Sequence, residues 1–419
     1  MIENTLIPKN WKINRLDEVG DIVSGGTPST KEVDNWGEEI IWITPSDLTG
    51  YLAKTIFKGK KSISKLGLSR SSARLMPKGS VLFSSRAPIG YVVIAGTELC
   101  TNQGFKSIIP NEKVTSDYLF HFLKYSKTYV QSIASGTTFK EISARAFGSL
   151  KIPVPNLNEQ QQIVEKIEEL FSELDAGRRQ LEVVKKQLIT YRQSVLKFAF
   201  EGKFTKTKFV ESKTGNIVDI INNGYTPSRE FLSEDFGDIP FIKVYNLNFN
   251  GTLNFKKNPT FIPKDIHKKQ LKRSICLPGD VLINIVGPPL GKVSIVTDQF
   301  PEWNINQAIV MFRPNEKVIS KFLSYFLQNS ATINWLEETS KATAGQWNVK
   351  VSTCREIPIP ICSPVEQEIV VNEIECRLSV CEKLEETIET CLQQSEVLKQ
   401  SILKQAFEGK LVKSPINCK

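Results

Sequence analysis

The sequence predicts an α+β protein: two homologous mixed α/β globular segments, separated by two long helices that pair as an antiparallel coiled coil with a pseudo-two-fold. Three observations predict it. Residues 194–203 read SVLKFAFEGK and residues 401–410 read SILKQAFEGK, identical at eight of ten positions at an offset of 207. Each copy closes a heptad-patterned stretch. Each stretch follows an Ile-Pro-aliphatic-Pro signal, Ile152-Pro153-Val154-Pro155 in one case and Ile357-Pro358-Ile359-Pro360 in the other. The 419 residues suit roughly two to four domains. The boundaries expected are a globular segment over 1–157, a helix over 158–203, a second globular segment over 204–362, a second helix over 363–414 and a tail over 415–419.

The first segment mixes short β-like runs with Gly, Pro and Asn turns. Ile40-Ile41-Trp42-Ile43 predicts a short buried strand. Ser80-Val81-Leu82-Phe83 and Tyr91-Val92-Val93-Ile94 predict a strand pair across an Arg86-Ala87-Pro88-Ile89-Gly90 connection. Residues 116–134 predict a helix capped by Ser116, with Tyr118, Leu119, Phe122 and Leu123 on one face. The segment closes on a Gly-Thr loop, a short helix and an extended strand.

The second segment repeats this plan in the same order. Gly25-Gly26-Thr27-Pro28-Ser29 matches Gly224-Tyr225-Thr226-Pro227-Ser228, and Gly25-Gly26-Thr27-Pro28 is expected as a structural turn. Trp42-Ile43 matches Phe241-Ile242. Asn102-Gln103 matches Asn306-Gln307, and Pro110-Asn111-Glu112 matches Pro314-Asn315-Glu316. The intervening loops differ, and a shared scaffold with divergent loops lets related domains bind different things.

The helical stretches carry apolar residues at alternating spacings of four and three. Ile163, Ile167, Leu170, Leu174, Gly177, Leu181, Val184, Leu188, Tyr191, Val195 and Phe198 form the first seam. Ile374, Leu378, Cys381, Leu384, Ile388, Cys391, Ser395, Leu398 and Ile402 form the second. Sustained heptads indicate a coiled coil. Periodicity alone does not choose between parallel and antiparallel pairing. The short links to the globular segments favour antiparallel, because a parallel return would have to span a helix of about 60 Å.

Charge follows the same division. Residues 1–157 hold 20 Lys and Arg against 13 Asp and Glu, and residues 204–362 hold 19 against 14. The helical blocks are neutral over 158–203 (8 against 8) and acidic over 363–419 (7 against 10). A phosphate-binding surface is therefore expected on the globular segments. No stretch of 18 apolar residues predicts a membrane span. The N-terminus lacks the pattern of a signal peptide. The eight cysteines form no CxxC pair, which fits a reducing cytoplasm better than a disulfide framework.

Catalytic signatures are missing. His121 and His267 are the only histidines. Neither has Cys or carboxylate neighbours at ligand spacing, so no metal site is expected. Gly287-Pro288-Pro289-Leu290-Gly291-Lys292-Val293 has P-loop-like glycines at the wrong spacing, lacks Ser or Thr after the Lys, and its prolines remove N–H groups that a phosphate cradle needs. It predicts a β-turn. Binding is the expected role.

The ordered set SGGTPST, NWG, IWITPSDL, SSARLMPKGSVLFSSRAPIG and TNQGFKSIIP, with NLNEQQQIVEKI and SPVEQEIVVNEI opening the helices and the two LK-x-AFEGK endings, resembles the specificity subunit of type I restriction–modification systems. The likeness covers essentially the whole chain. Lys243-Val244-Tyr245-Asn246-Leu247 replaces Thr44-Pro45-Ser46-Asp47-Leu48, and Val286-Gly287-Pro288-Pro289 replaces the Arg86 turn. The second segment thus resembles a different recognition domain of the same fold. The resemblance implies a non-catalytic subunit in which each target recognition domain reads one half of a bipartite double-stranded DNA site and the helix pair sets the spacer. It implies two methyltransferase subunits and two motor-nuclease subunits as partners, with S-adenosylmethionine, ATP and Mg held by those partners and no cofactor in this chain. A coiled-coil scaffold joining two protein partners is the competing reading.

Readout needs polar side chains at base edges, and positioning needs cations at phosphates. The candidates in the first segment are Lys31, Ser46, Asp47, Lys60, Lys61, Arg70, Arg86, Thr138, Lys140 and Arg145. Arg70 and Arg86 suit guanine or phosphate, because a planar fork fits both; bracing its own turn is the alternative for Arg86. In the second segment they are Arg229, Tyr245, Asn246, Lys272, Arg273, Gln346 and Asn348, with Trp347 expected in the core. Glu159–Gln162 and Glu366-Gln367 are expected to start the helices, where a carboxylate suits the dipole and a methyltransferase subunit could dock.

Overall fold

The computed structural model describes residues 7–136, 140–206, 208–234, 236–340, 342–343 and 346–412. They form two compact units. The first comprises the described residues of Met1–Leu181 and Thr390–Lys419, the second those of Glu182–Glu389.

The first unit runs β1 (Lys12–Arg15), β2 (Gly20–Ser24), β3 (Trp36–Ile43), β4 (Thr55–Ile56), β5 (Lys61–Ile63), α1 (Lys65–Ser69), β6 (Val81–Phe83), β7 (Val92–Ala95), β8 (Cys100–Thr101), β9 (Lys106–Pro110), α2 (Ser116–Ile133), α3 (Ala144–Gly148) and β10 (Lys151–Val154), then enters α4 (Leu157–Phe200). Strands β2-β9-β6-β7-β4 form one sheet, β5-β3-β8 a second, and β1 pairs with β10. The expected strand pair is β6 with β7, antiparallel, Val81 opposite Ile94. Alternation sends Val81, Phe83, Val92 and Ile94 into a core with α2, and Leu82, Val93 and Ala95 into a second core with Ile43 and Leu48. Both faces of the sheet are thus covered.

Two local expectations are corrected. Strand β3 starts at Trp36, and only Trp42 and Ile43 at its end are buried; those two pair parallel with β8, a partner about sixty residues away that periodicity cannot reveal. The cap of α2 is Thr115, whose Oγ1 accepts the Tyr118 N–H. Ser116 instead donates to the Gly79 carbonyl.

The second unit repeats the plan with β11 (Val210–Lys213), β12 (Val218–Asn223), β13 (Ile239–Ile242), β14 (Phe261–Ile262), α5 (Lys264–Lys269), β15 (Ile275–Cys276), β16 (Val281–Asn284), β17 (Val286–Gly287), β18 (Val293–Ile295), β19 (Trp303–Ile305), β20 (Ile309–Pro314), α6 (Ser320–Gln328), α7 (Ser330–Thr339), β21 (Ala342–Thr343), β22 (Gln346–Asn348), α8 (Val351–Arg355), β23 (Pro358–Ile361) and α9 (Pro364–Phe407). Phe241 and Ile242 pair parallel with β19, as Trp42 and Ile43 do with β8. The matched glycines are structural in both units. A Cβ on Gly25 would lie 1.9 Å from the Asn102 carbonyl oxygen, and one on Gly224 would lie 2.1 Å from that of Ile305. The Thr27 hydroxyl donates to the side-chain Oε1 of Gln103, and Thr226 donates to Gln307 Oε1 in the same way.

Within each unit the long helices pair antiparallel. In the first, Lys399 Nζ meets Asp175 at 2.6 Å and Arg178 meets Glu396 at 2.9 Å. In the second, Lys185 meets Glu389 at 2.9 Å and Arg192 meets Glu385 at 3.8 Å. The seam departs from the heptad expectation. Leu188, Val195, Cys381 and Ile388 are buried, whereas Val184, Tyr191, Phe198, Leu384 and Leu398 are exposed. Near the end of α4 the buried set becomes Arg192, Val195, Leu196, Ala199 and Phe200, because that end packs on a globular core as well as a helix.

This explains the LK-x-AFEGK repeat. Phe200 lies 5.1 Å and 5.4 Å from the Phe322 and Phe326 rings of α6. Phe407 is likewise surrounded by Tyr118, Phe122 and Tyr125 of α2. Gly202 and Gly409 take φ of 71° and 67°, and the N–H groups of Lys203 and Lys410 return to the carbonyls of Phe198 and Gln405. These are Schellman-type ends that need glycine.

The helix starts are clamped as closely. Gln160 is fully buried. Its Oε1 accepts the Thr115 N–H, and its Nε2 donates to the carbonyls of Lys113 and Pro155. Gln367 does the same with Ile319, Lys317 and Cys362. Glu159 accepts from the Trp11 indole at 2.9 Å. The side chains of Glu159, Gln160 and Gln367 face inward, whereas Gln161 and Gln162 are exposed and Glu366 is half-buried. Gln160→Leu should lower stability by at least about 1–3 kcal/mol, the cost of orphaning one buried backbone group, read as a lower midpoint in denaturant. Phe407→Ala should cost about 3–5 kcal/mol, with loss of the first unit's cooperative melting in calorimetry.

Candidate nucleic-acid interface

An open cleft of about 430 Å³ lies in the first unit, lined by Trp42, Thr44, Pro45, Ser46, Asp47, Lys60, Lys61, Arg86, Ala87, Asn102 and Gly104. Five of the sequence-selected residues, Ser46, Asp47, Lys60, Lys61 and Arg86, meet there. The short 3-10 turn Pro45–Leu48 brings Ser46 and Asp47, the start of β5 brings Lys61, and the turn after β6 brings Arg86.

Asp47 shapes this wall. Its Oδ2 accepts the Thr44 N–H and hydroxyl at 2.8 and 2.7 Å, and its Oδ1 accepts the Lys60 N–H at 3.0 Å. The carboxylate thus fixes the lysine-bearing loop. Trp42, 5 % exposed, forms the floor and donates to the Gly26 carbonyl. It meets Trp36 edge-on, and Lys61 Nζ sits 5.5 Å from the Trp36 ring centre. Arg86 both lines the cleft and lies 3.7 Å from Glu141, so bracing and presentation coexist.

The remaining candidates of the first unit are not in the cleft lining. Lys31, Arg70, Lys140 and Arg145 are exposed. Arg70 ends α1 and Arg145 lies in α3. Thr138 lies outside the described residues.

In the second unit Asn246 is the counterpart of Asp47. It is fully buried. Its Oδ1 accepts the Lys243 N–H, and its Nδ2 donates to the carbonyls of Asn254 and Lys257. Its amide is spent on the loop, which corrects its selection as a reader of bases. Tyr245 is half-buried, with Lys243 Nζ 5.8 Å from its ring centre. Arg229, Lys272 and Arg273 are exposed on short 3-10 turns. Asn348 is exposed on β22, opposite Val286. Gln346 is on the same strand; its side chain lies outside the description. Trp347 is half-buried rather than core, because β22 belongs to a small three-stranded sheet outside the main cores.

Lys256 and Lys257 were missed by sequence reasoning. Both are exposed, and they lie in the loop ahead of β14 that Asn246 holds through the Lys257 carbonyl. A Lys-Lys pair in an Asn- and Gly-containing loop between apolar strands is the signal that could have found them.

The Gly287–Val293 stretch is a braced turn. Asn284 Nδ2 donates to the carbonyls of Val286 and Pro289, and its Oδ1 accepts the Lys292 N–H. His121 is buried. Burial, reinforced by Lys54 and Lys124, lowers its pKa from 6.5 to about 3, so it is a neutral packing residue. His267 is buried as well, and its ring meets Asn304 and Glu302. No helix among the described residues is long and apolar enough to cross a membrane.

The sequence matches the family described as "Type I restriction modification DNA specificity domain" twice, over residues 8–185 and 206–393. The MjaIX type I restriction enzyme specificity subunit of Methanocaldococcus jannaschii is 34% identical over 259 residues, 58% of this chain and 59% of that protein. The EcoBI specificity subunit of Escherichia coli is 26% identical over 434 residues, 97% of this chain and 87% of that protein. A chain solved in work on complex assembly and conformational transition of the type I R-M system aligns with a TM-score of 0.72 at 22% identity, covering 96% of this chain and 99% of that one. The HsdS subunit from Thermoanaerobacter tengcongensis aligns at 0.54 and 20%, covering 98% and 100%; at these identities both establish the fold. With two family segments spanning most of its length, the chain belongs to the type I restriction–modification DNA specificity family.

Proposed function

We propose that each unit reads one half of a bipartite duplex DNA site, that the helix pair sets the unread spacer, and that the chain docks two methyltransferase subunits and, for restriction, two motor-nuclease subunits. S-adenosylmethionine, ATP and Mg belong to those partners in this reading. The observation that carries it is the cleft, where Lys60, Lys61 and Arg86 converge over an aromatic floor with one carboxylate already committed to the backbone. Such a surface attracts phosphate and leaves hydroxyl and guanidinium groups for base edges. Lys31, Arg70, Lys140 and Arg145 extend the positive surface of the first unit, and Thr138 is kept as a candidate. In the second unit the reading assigns phosphate positioning to Arg229, Lys256, Lys257, Lys272 and Arg273, and base contacts to Tyr245, Gln346 and Asn348. A scaffold joining two proteins would have no use for the cationic cleft of the first unit.

The first test is electrostatic. Duplex affinity of the full chain, alone and with a methyltransferase subunit, is measured across salt concentrations. Lys60→Ala and Lys61→Ala should each weaken binding to all sequences and lower the salt slope by about 0.9; an unchanged slope removes these lysines from the interface. The second test concerns spacing. Inserting seven residues after Leu181 and seven after Glu389 keeps the heptad phase and adds about 10 Å of helix, equivalent to about three base steps. The methylated sites in cells carrying this variant should gain about three base pairs of spacer. An unaltered spacer would show that the helices do not set it.

A further inference from the structure

The two units share one stretch of backbone at the cleft rim and differ in the side chains placed on it. In the first unit the Ser85 N–H donates to the Gly104 carbonyl, and the Ile142 N–H donates to the Ser85 carbonyl. In the second, Ile285 donates to Ala308 and Val349 to Ile285. The strand partners agree, because Arg86 lies opposite Glu141 as Val286 lies opposite Asn348. Lys106 at the start of β9 takes the place of Val310 in β20. On this common frame the first unit carries Arg86, Glu141 and Lys106, and the second carries Val286, Asn348 and Val310.

The first set is a charged relay. Lys106 is 8 % exposed, and its Nζ lies 3.1 Å from Glu141 Oε1. Ser85 Oγ reaches the same oxygen at 3.5 Å. Glu141 Oε2 lies 3.7 Å from Arg86 NH1, with the arginine side chain 36 % exposed at the cleft. A triad that served the fold would be needed in both units, yet the second keeps the backbone without it. A guanidinium meant only for phosphate gains nothing from a carboxylate, which offsets its attraction. Holding the plane of the fork matters for one task, the paired contact to O6 and N7 of guanine.

We infer that Arg86 reads a guanine in the half-site of the first unit, and that Glu141, itself anchored by buried Lys106, is the positioning residue that sets the plane of its fork. This rests on the DNA-reading role proposed above. The second unit presents an amide, Asn348, at the same place and has no arginine there, so guanine readout through this rim is confined to one half of the site.

The test is selection from a random duplex library by the full-length chain, alone and together with a methyltransferase subunit, followed by sequencing. The wild-type chain should enrich a two-part motif with a guanine in one half. Arg86→Lys should reduce the preference for guanine at that single position about ten- to a hundred-fold and leave the other half unchanged. Glu141→Gln should relax the same position while non-specific duplex binding stays equal or tightens, and Glu141→Asp should restore the preference. A merely structural role for Glu141 predicts the reverse: weaker binding to every sequence with the guanine preference intact. The inference is overturned by that result. It is equally overturned if Arg86→Lys alters the salt slope and no base position. A wild-type chain that enriches no motif overturns the DNA-reading role as well, which separates the two failures.

Discussion

The structure depends on burying the C-terminal turn of each long helix in a globular core. Leu403, Ala406 and Phe407 are members of the same apolar cluster as Leu16, Val81, Phe83 and the inner face of α2. The first unit therefore has no complete core until α9 reaches it. Leu196, Ala199 and Phe200 are buried in the same way in the second unit. Three apolar side chains and a left-handed glycine end account for a ten-residue motif appearing twice. The motif is an anchor, and its identity across the repeats reflects equivalent aromatic seats on α2 and α6.

A second constraint acts at the opposite end of each helix. A buried glutamine joins the helix start to one carbonyl of its own entry loop and to two backbone groups at and before the N-cap of the packed helix. Its amide satisfies both a donor and two acceptors that would otherwise be buried unpaired. Held at one end by an amide and at the other by an aromatic ring, the helices do not need a deep seam. This is why so many heptad positions in the middle are exposed, and why ion pairs such as Lys399–Asp175 and Lys185–Glu389 mark the register there.

The same economy shapes the cleft. Asp47 and Asn246 differ in charge, yet each caps its turn by accepting a backbone N–H three residues earlier and each holds a lysine-bearing loop. The scaffold thus tolerates either residue and presents different surfaces from it. Where the rim changes from Arg86 with Glu141 to Val286 with Asn348, the strand pairing is retained and the chemistry is not. Variation at such positions leaves packing untouched, which is the physical condition for altering recognition without refolding.

The sequence by itself determined the tandem repeat, the two helices, the β6–β7 pair, the structural glycines and the basic character of the globular segments. Each of these is written in local periodicity, in turn chemistry or in a repeat that can be aligned to itself. It also yielded the charged lining of the cleft, because cations and carboxylates in loops are conspicuous between apolar strands. Tertiary structure alone decided that Asn246 is buried, that Gln160 and Gln367 face inward, that Thr115 rather than Ser116 caps α2, and that Glu141 stands between Lys106 and Arg86. Those outcomes turn on contacts between residues tens of positions apart, where a polar side chain is drawn to whichever buried backbone group lacks a partner. No spacing rule encodes that choice, since it is made only when the loops have closed.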